Sequence, residues 1–137
     1  MSEQKFDLVI DASEAVLGRV ASYATKQSLL GKNVAIVNCS EILVTGHNRT
    51  TIDLYKEKRG RGGASLNGPN FPKSAERIVK RTIRGMVSYK QKRGRDALDR
   101  VICYNHVPAP LQDAKKVSMK TETKARTIKL GEVSREL

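Results

Sequence analysis

The sequence predicts an α/β domain with a mainly parallel sheet. Four short apolar runs are typical of strands, and the second is continuous rather than alternating, as in strands covered on both faces. A stretch with helical periodicity separates the first two runs, which predicts a right-handed βαβ unit. The 137 residues suffice for one domain with a sizeable core. With no Trp and only 4% aromatic residues, that core must be aliphatic.

The first third of the chain is predicted to form the scaffold. A strand covers 6–10, and Asp11 with Ser13 supplies N-capping groups from which a helix should begin, running to about Leu30. Gly31 stands where a C-cap glycine is expected. The next predicted elements are strands at 34–37 (VAIV) and 41–45 (EILVT) and a moderately helical segment at 48–58.

A glycine-rich stretch at 59–69 (RGRGGASLNGP) then interrupts regular structure. One interpretation is a flexible surface loop. The other is a loop whose backbone and arginines lie against phosphate, because a glycine-rich backbone can approach an anion closely. The basic residues on both sides favour the second interpretation.

The segment 74–87 is predicted to be an amphipathic helix with one cationic face. The two sets of residues recur at helical spacing and point in nearly opposite directions, so one face can pack on a core while the other meets an anion. The apolar set is Ala75, Ile78, Val79, Thr82, Ile83, Met86 and Val87, and the basic set is Arg77, Lys80, Arg81 and Arg84.

The remainder is predicted to hold one more strand and a tail. A basic turn at 88–95 (SYKQKRGR) leads through a short helical piece at 96–100 to the fourth strand at 101–104 (VICY). Prolines at 108 and 110 end regular structure. From Leu111 onward we expect an extended arm with a short helix around 113–119, ordered only against a partner.

The distribution of charge points to a polyanionic partner. The net charge is +12 and the isoelectric point is about 10.0. Residues 55–95 hold thirteen basic and two acidic residues, whereas the flanking parts are nearly balanced. Residues 77–95 hold eight basic residues and no acidic one. Solvated helix faces usually mix signs, so the contrast favours a binding surface over a merely solvated one.

The lack of a membrane-spanning run and of a signal-peptide pattern, together with the isolated cysteines, predicts a cytosolic protein. The chain has no apolar run long enough for a membrane span and no signal-peptide pattern at its N-terminus. Cys39 and Cys103 are isolated and lack the paired spacing of a zinc site, so we expect buried free thiols and no metal.

No enzyme motif stands out, but an enzyme remains the alternative hypothesis. The chain has no nucleotide-binding glycine fingerprint, and its two histidines lack ligands at metal spacing. A small RNA-modifying or nucleotide-binding enzyme would need Asp11, Ser40, Thr45 and His106 to converge on a cleft at the carboxyl ends of the strands. A nonspecific DNA-binding protein is a third possibility.

Residues 84–110 (RGMVSYKQKRGRDALDRVICYNHVPAP) resemble the signature of the ribosomal protein L13 family, especially its archaeal and eukaryotic form. Upstream, VIDASEAVLGRVAS, VAIVNCSEILVTG and NGPNFPKSAERIVKR are similar to the family in the same order, as is KLGE at 129–132. Val87 and Ser88 depart from a frequent Leu-Pro pair. The matching residues of the signature are Arg84, Gly85, Met86, Lys90, Arg93, Gly94, Ala97, Leu98, Arg100, Pro108 and Pro110.

The resemblance implies a cytoplasmic structural protein of the large ribosomal subunit that binds 23S-type ribosomal RNA and supports assembly and translation. It implies no catalytic residue, no cofactor and no small-molecule substrate. Neighbouring large-subunit proteins, ribosomal protein L3 among them, are the expected protein partners. The implied fold is a three-layer α/β/α domain with a four-stranded sheet of order 3-2-1-4, spanning 1–110 and followed by a C-terminal extension at 111–137.

Cations on the basic helix and its two flanking segments are predicted to neutralise phosphates from different RNA segments. Tyr89 either stacks on an exposed base or packs within the protein. The predicted RNA-binding residues are Arg19, Arg49, Lys58, Arg59, Arg61, Gly62, Gly63, Lys73, Arg77, Lys80, Arg81, Arg84, Gly85, Lys90, Lys92, Arg93, Gly94 and Arg95.

Overall fold

The computed structural model describes residues 6–60, 72–122 and 125–137, and this part of the chain forms an α/β fold. Its strands are β1 (Leu8–Asp11), β2 (Val34–Val37), β3 (Leu43–Thr45), β4 (Val101–Cys103), β5 (Val117–Ser118) and β6 (Thr127–Lys129). Its helices are α1 (Leu17–Leu29), α2 (Asn48–Gly60), α3 (Ala75–Met86), α4 (Lys92–Asp99) and α5 (Leu130–Glu136).

The main sheet is parallel throughout and has the order β4-β2-β1-β5. The central strand β2 is buried along its whole length, which explains its continuous apolar sequence. The predicted α/β class with a parallel sheet is therefore confirmed. When only the strands of this sheet are numbered in chain order, their order is the predicted 3-2-1-4. The third and fourth strands in this numbering are β4 and β5, whereas the prediction assigned the segments 41–45 and 101–104 to them.

The segment predicted as the third strand of the main sheet leaves that sheet. Asn38 adopts a left-handed conformation (φ 61°) directly after β2, and Cys39–Glu41 form a 3-10 turn. The chain is thereby redirected, and β3 pairs antiparallel with β6 in a separate two-stranded sheet. The prediction placed a real strand in the wrong sheet, because an apolar run does not reveal its partner.

The first helix begins later than predicted. Asp11 ends β1, and its carboxylate accepts hydrogen bonds from the backbone N–H of Ser13 (3.1 Å) and the side-chain amide of Asn38 (3.0 Å). The carboxylate therefore joins the ends of two neighbouring strands instead of capping a helix. The predicted glycine at the other end of α1 is confirmed, since Gly31 follows the C-cap with φ 96°.

The two faces of the main sheet carry different covers. On one face, α1, α3 and α5 pack over the side chains of Ile10, Val34 and Ile36 in the larger core. On the other face, Val9, Ala35 and Val37 form a small cluster with Leu111. The alternation of neighbouring residues between the two clusters is the period-2 geometry of strands. The second cover consists of the segment 104–114, whose regular part is a 3-10 turn at Ala109–Leu111.

The C-terminal segment is part of this fold. Strand β5 pairs with β1, and β6 pairs with β3. Leu130 and Val133 of α5 are fully buried in the larger core. The predicted extended arm that orders only against a partner is therefore wrong, and no helix forms at 113–119. The division at residue 110 stays a prediction, although this burial favours one cooperative unit.

Among the described residues, no helix is long and apolar enough to cross a membrane.

Replacement of Leu130 by Ala tests whether α5 belongs to the core. Because the Leu130 side chain is 0% exposed, Leu130→Ala should lower the free energy of unfolding by about 2–5 kcal/mol in urea denaturation. The matched control is Leu30→Ala, since Leu30 is 66% exposed and its loss should cost less than about 0.5 kcal/mol. Equal losses from the two variants would contradict the packing of α5.

Candidate nucleic-acid interface

Helix α3 is held on the scaffold by its apolar face. Ala75, Ile78, Val79 and Ile83 are buried, and the helix packs against α1. The side-chain oxygen of Asn105, which follows β4, accepts a hydrogen bond from the Glu76 backbone N–H (3.1 Å) in the first turn of α3. The predicted amphipathic helix at 74–87 is thus confirmed, and its start is fixed to the end of the sheet.

Three arginines of α3 face away from the core. Arg77 is exposed, and Arg81 and Arg84 are partly exposed. The guanidinium carbon of Arg84 lies 4.2 Å from the centre of the Tyr89 ring, which is a cation–π contact. This contact gives Tyr89 a packing role. Base stacking by Tyr89 stays a prediction.

Lys80 does not share the outward orientation predicted for it. Its ammonium donates hydrogen bonds to the backbone carbonyls of Leu98 and Val101, where α4 passes into β4. Burial lowers the pKa of Lys80 below its ordinary value, although neighbouring Cys103 and Asp99 oppose the shift. Lys80 therefore ties α3 to the α4–β4 junction. Its long apolar stem allows a residue spaced with the cationic face to turn inward.

The second half of the predicted basic turn at 88–95 is helical, because α4 begins at Lys92 rather than at 96. Lys92, Arg93 and Arg95 are exposed in its first turn, where no acidic residue accompanies them. The N-terminus of a helix carries a partial positive charge, so three cations there repel the helix dipole. A bound anion would remove this unfavourable interaction, and the first-turn N–H groups point toward such an anion.

Two of the four glycines predicted to bind RNA lie in the described part of the chain, and their surroundings differ. Gly94 is buried in α4, and a Cβ at this position would lie 2.0 Å from the Ser88 carbonyl oxygen. Gly94 therefore permits α4 to pack on the preceding turn, and its predicted contact with RNA stays a prediction. Gly85 in α3 is exposed, and within the described part of the chain a Cβ there would meet no atom within 4 Å.

The remaining predicted residues are spread over several elements. Arg49 and Arg59 are exposed near opposite ends of α2, ten positions apart, so roughly 15 Å of helix axis separates them. Lys58 of α2 lines the same cleft as Arg81 and Gly85 of α3. Arg19 is exposed on α1, and Lys73 is exposed just before α3. Predicted residues outside the described part of the chain are Arg61, Gly62 and Gly63.

Five exposed cations on α3, on α4 and between these two helices have no acidic partner in the described part of the chain. Arg77, Lys90, Lys92, Arg93 and Arg95 form no ion pair with another described residue. Ion pairs do join the tail to the scaffold, at Lys120–Glu14 (2.7 Å) and Lys129–Glu41 (3.0 Å). The cationic surface is therefore left open to an external anion.

The residues of the alternative enzyme hypothesis do not converge. A cleft of about 400 Å³ is lined by Ser40 and His106, but Asp11 and Thr45 do not line it. Burial raises the pKa of Asp11, but hydrogen bonds from Asn38 and Ser13 outweigh this effect and hold the pKa below its ordinary value. Asp11 thus remains an ionised structural group, which is unlike a general acid.

The cysteines are free, with Cys39 buried and Cys103 partly exposed. A hydrogen bond with Cys103 and burial together raise the pKa of the Cys39 thiol, which makes it a poor nucleophile. Among the described residues, no group of three or more His, Cys, Asp or Glu side chains is arranged to hold a metal ion.

Sequence reasoning missed Tyr55. This half-buried residue of α2 contacts the larger core and lies beside α3. The ammonium of Lys58 lies 5.5 Å from the centre of the Tyr55 ring. The three-residue spacing between an aromatic and a basic residue on a helix was the available signal, because it places both on one face.

Comparison with known proteins gives one consistent result. Residues 6–110 match the family model of ribosomal protein L13. Large ribosomal subunit protein uL13 of Methanosarcina barkeri is 43% identical over 135 residues, which cover 94% of this chain and 96% of that protein. The uL13 protein of Natronomonas pharaonis is 37% identical over 142 residues, covering 100% and 96%. That of Methanocaldococcus jannaschii is 39% identical over 132 residues, covering 94% and 96%.

A pair of Gly→Ala variants separates the roles of the two glycines. Gly94→Ala should lower the free energy of unfolding by about 1–3 kcal/mol, because its methyl group meets the Ser88 backbone. Gly85→Ala should raise it by up to about 1 kcal/mol, since alanine favours the helix and the methyl enters open space. Chemical denaturation of both variants measures the difference, and a neutral Gly94→Ala would refute the packing role.

Proposed function

Because the chain belongs to the ribosomal protein L13 family, which consists of structural proteins and not enzymes, we propose that it is a constituent of the large ribosomal subunit that binds ribosomal RNA. The observation that carries the RNA-binding proposal is the group of exposed cations on α3 and α4, of which Arg77, Lys92, Arg93 and Arg95 form no ion pair with another described residue. The archaeal relatives favour the archaeal-type branch of the family.

The proposed interface neutralises phosphates from more than one RNA segment. Arg77, Arg81 and Arg84 extend along one face of α3, while Lys92, Arg93 and Arg95 surround the start of α4. Phosphate contacts release counterions and position the backbone without reading its sequence. Because Lys80 fixes α3 to the end of α4, the two groups of cations keep a constant separation. The protein would thereby hold two RNA segments in a fixed relation during assembly.

The finer proposals extend the family assignment. Residues 1–110 supply the RNA-binding surface, and the extension at 111–137 completes the core through α5. Neighbouring large-subunit proteins, with ribosomal protein L3 among them, contact faces that RNA leaves uncovered, and the place of action is the cytoplasmic ribosome. Exposed apolar side chains such as Leu30 and Leu54 are compatible with protein contacts of this kind.

Cosedimentation and competition test the proposed function. The tagged full-length protein should cosediment with the large subunit in a sucrose gradient and remain bound after moderate salt. Purified protein should prefer a transcript of the large-subunit RNA from the same genome over duplex DNA across a salt series. Equal affinity for duplex DNA would instead favour a nonspecific DNA-binding protein, and absence from the large subunit would refute the proposal.

A salt series with two variants tests the assignment of individual phosphate contacts. Arg93→Gln should reduce the magnitude of the slope of log affinity against log salt concentration by about 0.7–0.9, because one phosphate contact is lost. The control is Lys120→Gln, which should leave the slope unchanged because the Lys120 ammonium already pairs with Glu14 (2.7 Å) and lies outside the proposed interface. An unchanged slope for Arg93→Gln would remove Arg93 from the interface.

A further inference from the structure

A cleft between α2 and α3 has the size and lining of a pocket for one planar ring. Its volume is about 210 Å³, below the roughly 300–1,000 Å³ typical of pockets for whole small-molecule ligands. Tyr55 supplies an aromatic wall and Ile78 an aliphatic one. Burial raises the pKa of the Tyr55 phenol, in keeping with a ring set well into the protein.

The cleft stays open because α3 carries a glycine where a side chain would fill it. Gly85 lines the cleft, and a Cβ built on Gly85 meets no atom of the described residues within 4 Å. Glycine lowers helix stability by roughly 0.5–1 kcal/mol relative to alanine. Among the described residues, neither packing nor backbone conformation requires glycine at this position, since the residue lies in a regular helix and no described atom lies beside it.

Polar groups in the cleft suit the edge of a base. The Thr82 hydroxyl donates to the Ile78 carbonyl (3.0 Å), which leaves the lone pairs of its oxygen as acceptors. Lys58 and Arg81 line the cleft. Arg77 and Arg84 lie within one turn of Arg81 on α3, so cations are available on both sides for flanking phosphates.

Lys58 partly covers the aromatic wall, but its contact can be replaced. The ammonium lies 5.5 Å from the Tyr55 ring centre, near the outer limit of a cation–π contact. Stacking of a base on an aromatic ring is generally stronger than such a contact at an exposed site. A base that enters the cleft would displace the Lys58 ammonium toward the phosphate of the same nucleotide. The ammonium would then pair with that phosphate instead of with the Tyr55 ring.

We propose that this cleft binds one unpaired base of ribosomal RNA, which stacks on Tyr55 beneath phosphates held by the arginines of α3. The inference rests on the proposed RNA-binding function and names Tyr55 as a base-contacting residue. A protein side chain is the competing occupant. The base is favoured because the lining cations and the neighbouring arginines match a phosphate backbone rather than a neutral side chain.

The affinity test uses the full-length protein and a transcript of the large-subunit RNA from the same genome. Gly85→Leu should fill the cleft and weaken binding about 5- to 150-fold, the range expected for loss of one stacked base. Its thermal midpoint should not fall, because leucine favours the helix and the side chain enters open space. The salt slope should stay unchanged, since phosphate contacts remain.

Tyr55 variants provide the second arm. Tyr55→Leu should lose affinity over the same range, whereas Tyr55→Phe should stay within about twofold of the wild type because stacking needs only the ring. Leu54→Ala is the control on the same helix, because Leu54 is 46% exposed and does not line the cleft. Unchanged affinity in both Tyr55→Leu and Gly85→Leu, with normal RNA binding by the wild type, would overturn the pocket alone.

Photo-crosslinking identifies the occupant directly. Tyr55 is replaced by p-azidophenylalanine in the tagged chain, which is irradiated within purified large subunits. A crosslink to an unpaired nucleotide of the ribosomal RNA supports the inference, whereas a crosslink to another protein overturns it. If the wild-type protein binds no ribosomal RNA, both the proposed function and the proposed base pocket are refuted. This result differs from unchanged affinity in the variants, which refutes the pocket alone.

Discussion

The packing of the apolar face of α3 on the scaffold is the contact on which the cationic surface depends. Arg77 and Arg81, as well as Arg81 and Arg84, are spaced so that like charges are neighbours on one helix. Such pairs destabilise a helix by roughly 0.2–0.5 kcal/mol each. Burial of Ile78, Val79 and Ile83 contributes about 1.5–3 kcal/mol for each side chain. The core therefore outweighs the repulsion by several kcal/mol, and the helix can carry charges that an isolated peptide would not tolerate.

The position of α4 depends in turn on two contacts with residues that precede it in the chain, Lys80 and Ser88. The Lys80 ammonium reaches the carbonyls of Leu98 and Val101, and the missing side chain of Gly94 lets α4 lie against Ser88. Both residues stand within the basic segment, and both act inside the protein. A cation or a glycine in a basic stretch can therefore serve to build the surface rather than to touch the ligand.

The sequence predicted what depends on local periodicity. The continuous run at 34–37 indicated a buried central strand, and the two opposed residue sets at 74–87 indicated the amphipathic helix. The sequence did not predict the features that depend on contacts between residues distant from each other in the chain. The left-handed Asn38 sends β3 to a second sheet, and β6 and α5 are stabilised by core contacts that their short, polar sequence does not reveal. At the site, spacing could not show that Lys80 turns inward or that Tyr55 and Gly85 line the same cleft.

The start of α4 links stability to ligand binding. Lys92, Arg93 and Arg95 oppose the helix dipole, and each such interaction is worth about 0.3–1 kcal/mol at low salt. The free protein bears this cost, because acidic residues are absent from the first turn. Phosphate removes it, so part of the binding free energy arises from relief of repulsion as well as from new contacts. Added salt screens the repulsion in the free protein and competes with phosphate in the complex. Salt should therefore stabilise the isolated chain while it weakens the complex, which separates this electrostatic arrangement from an ordinary solvated helix face.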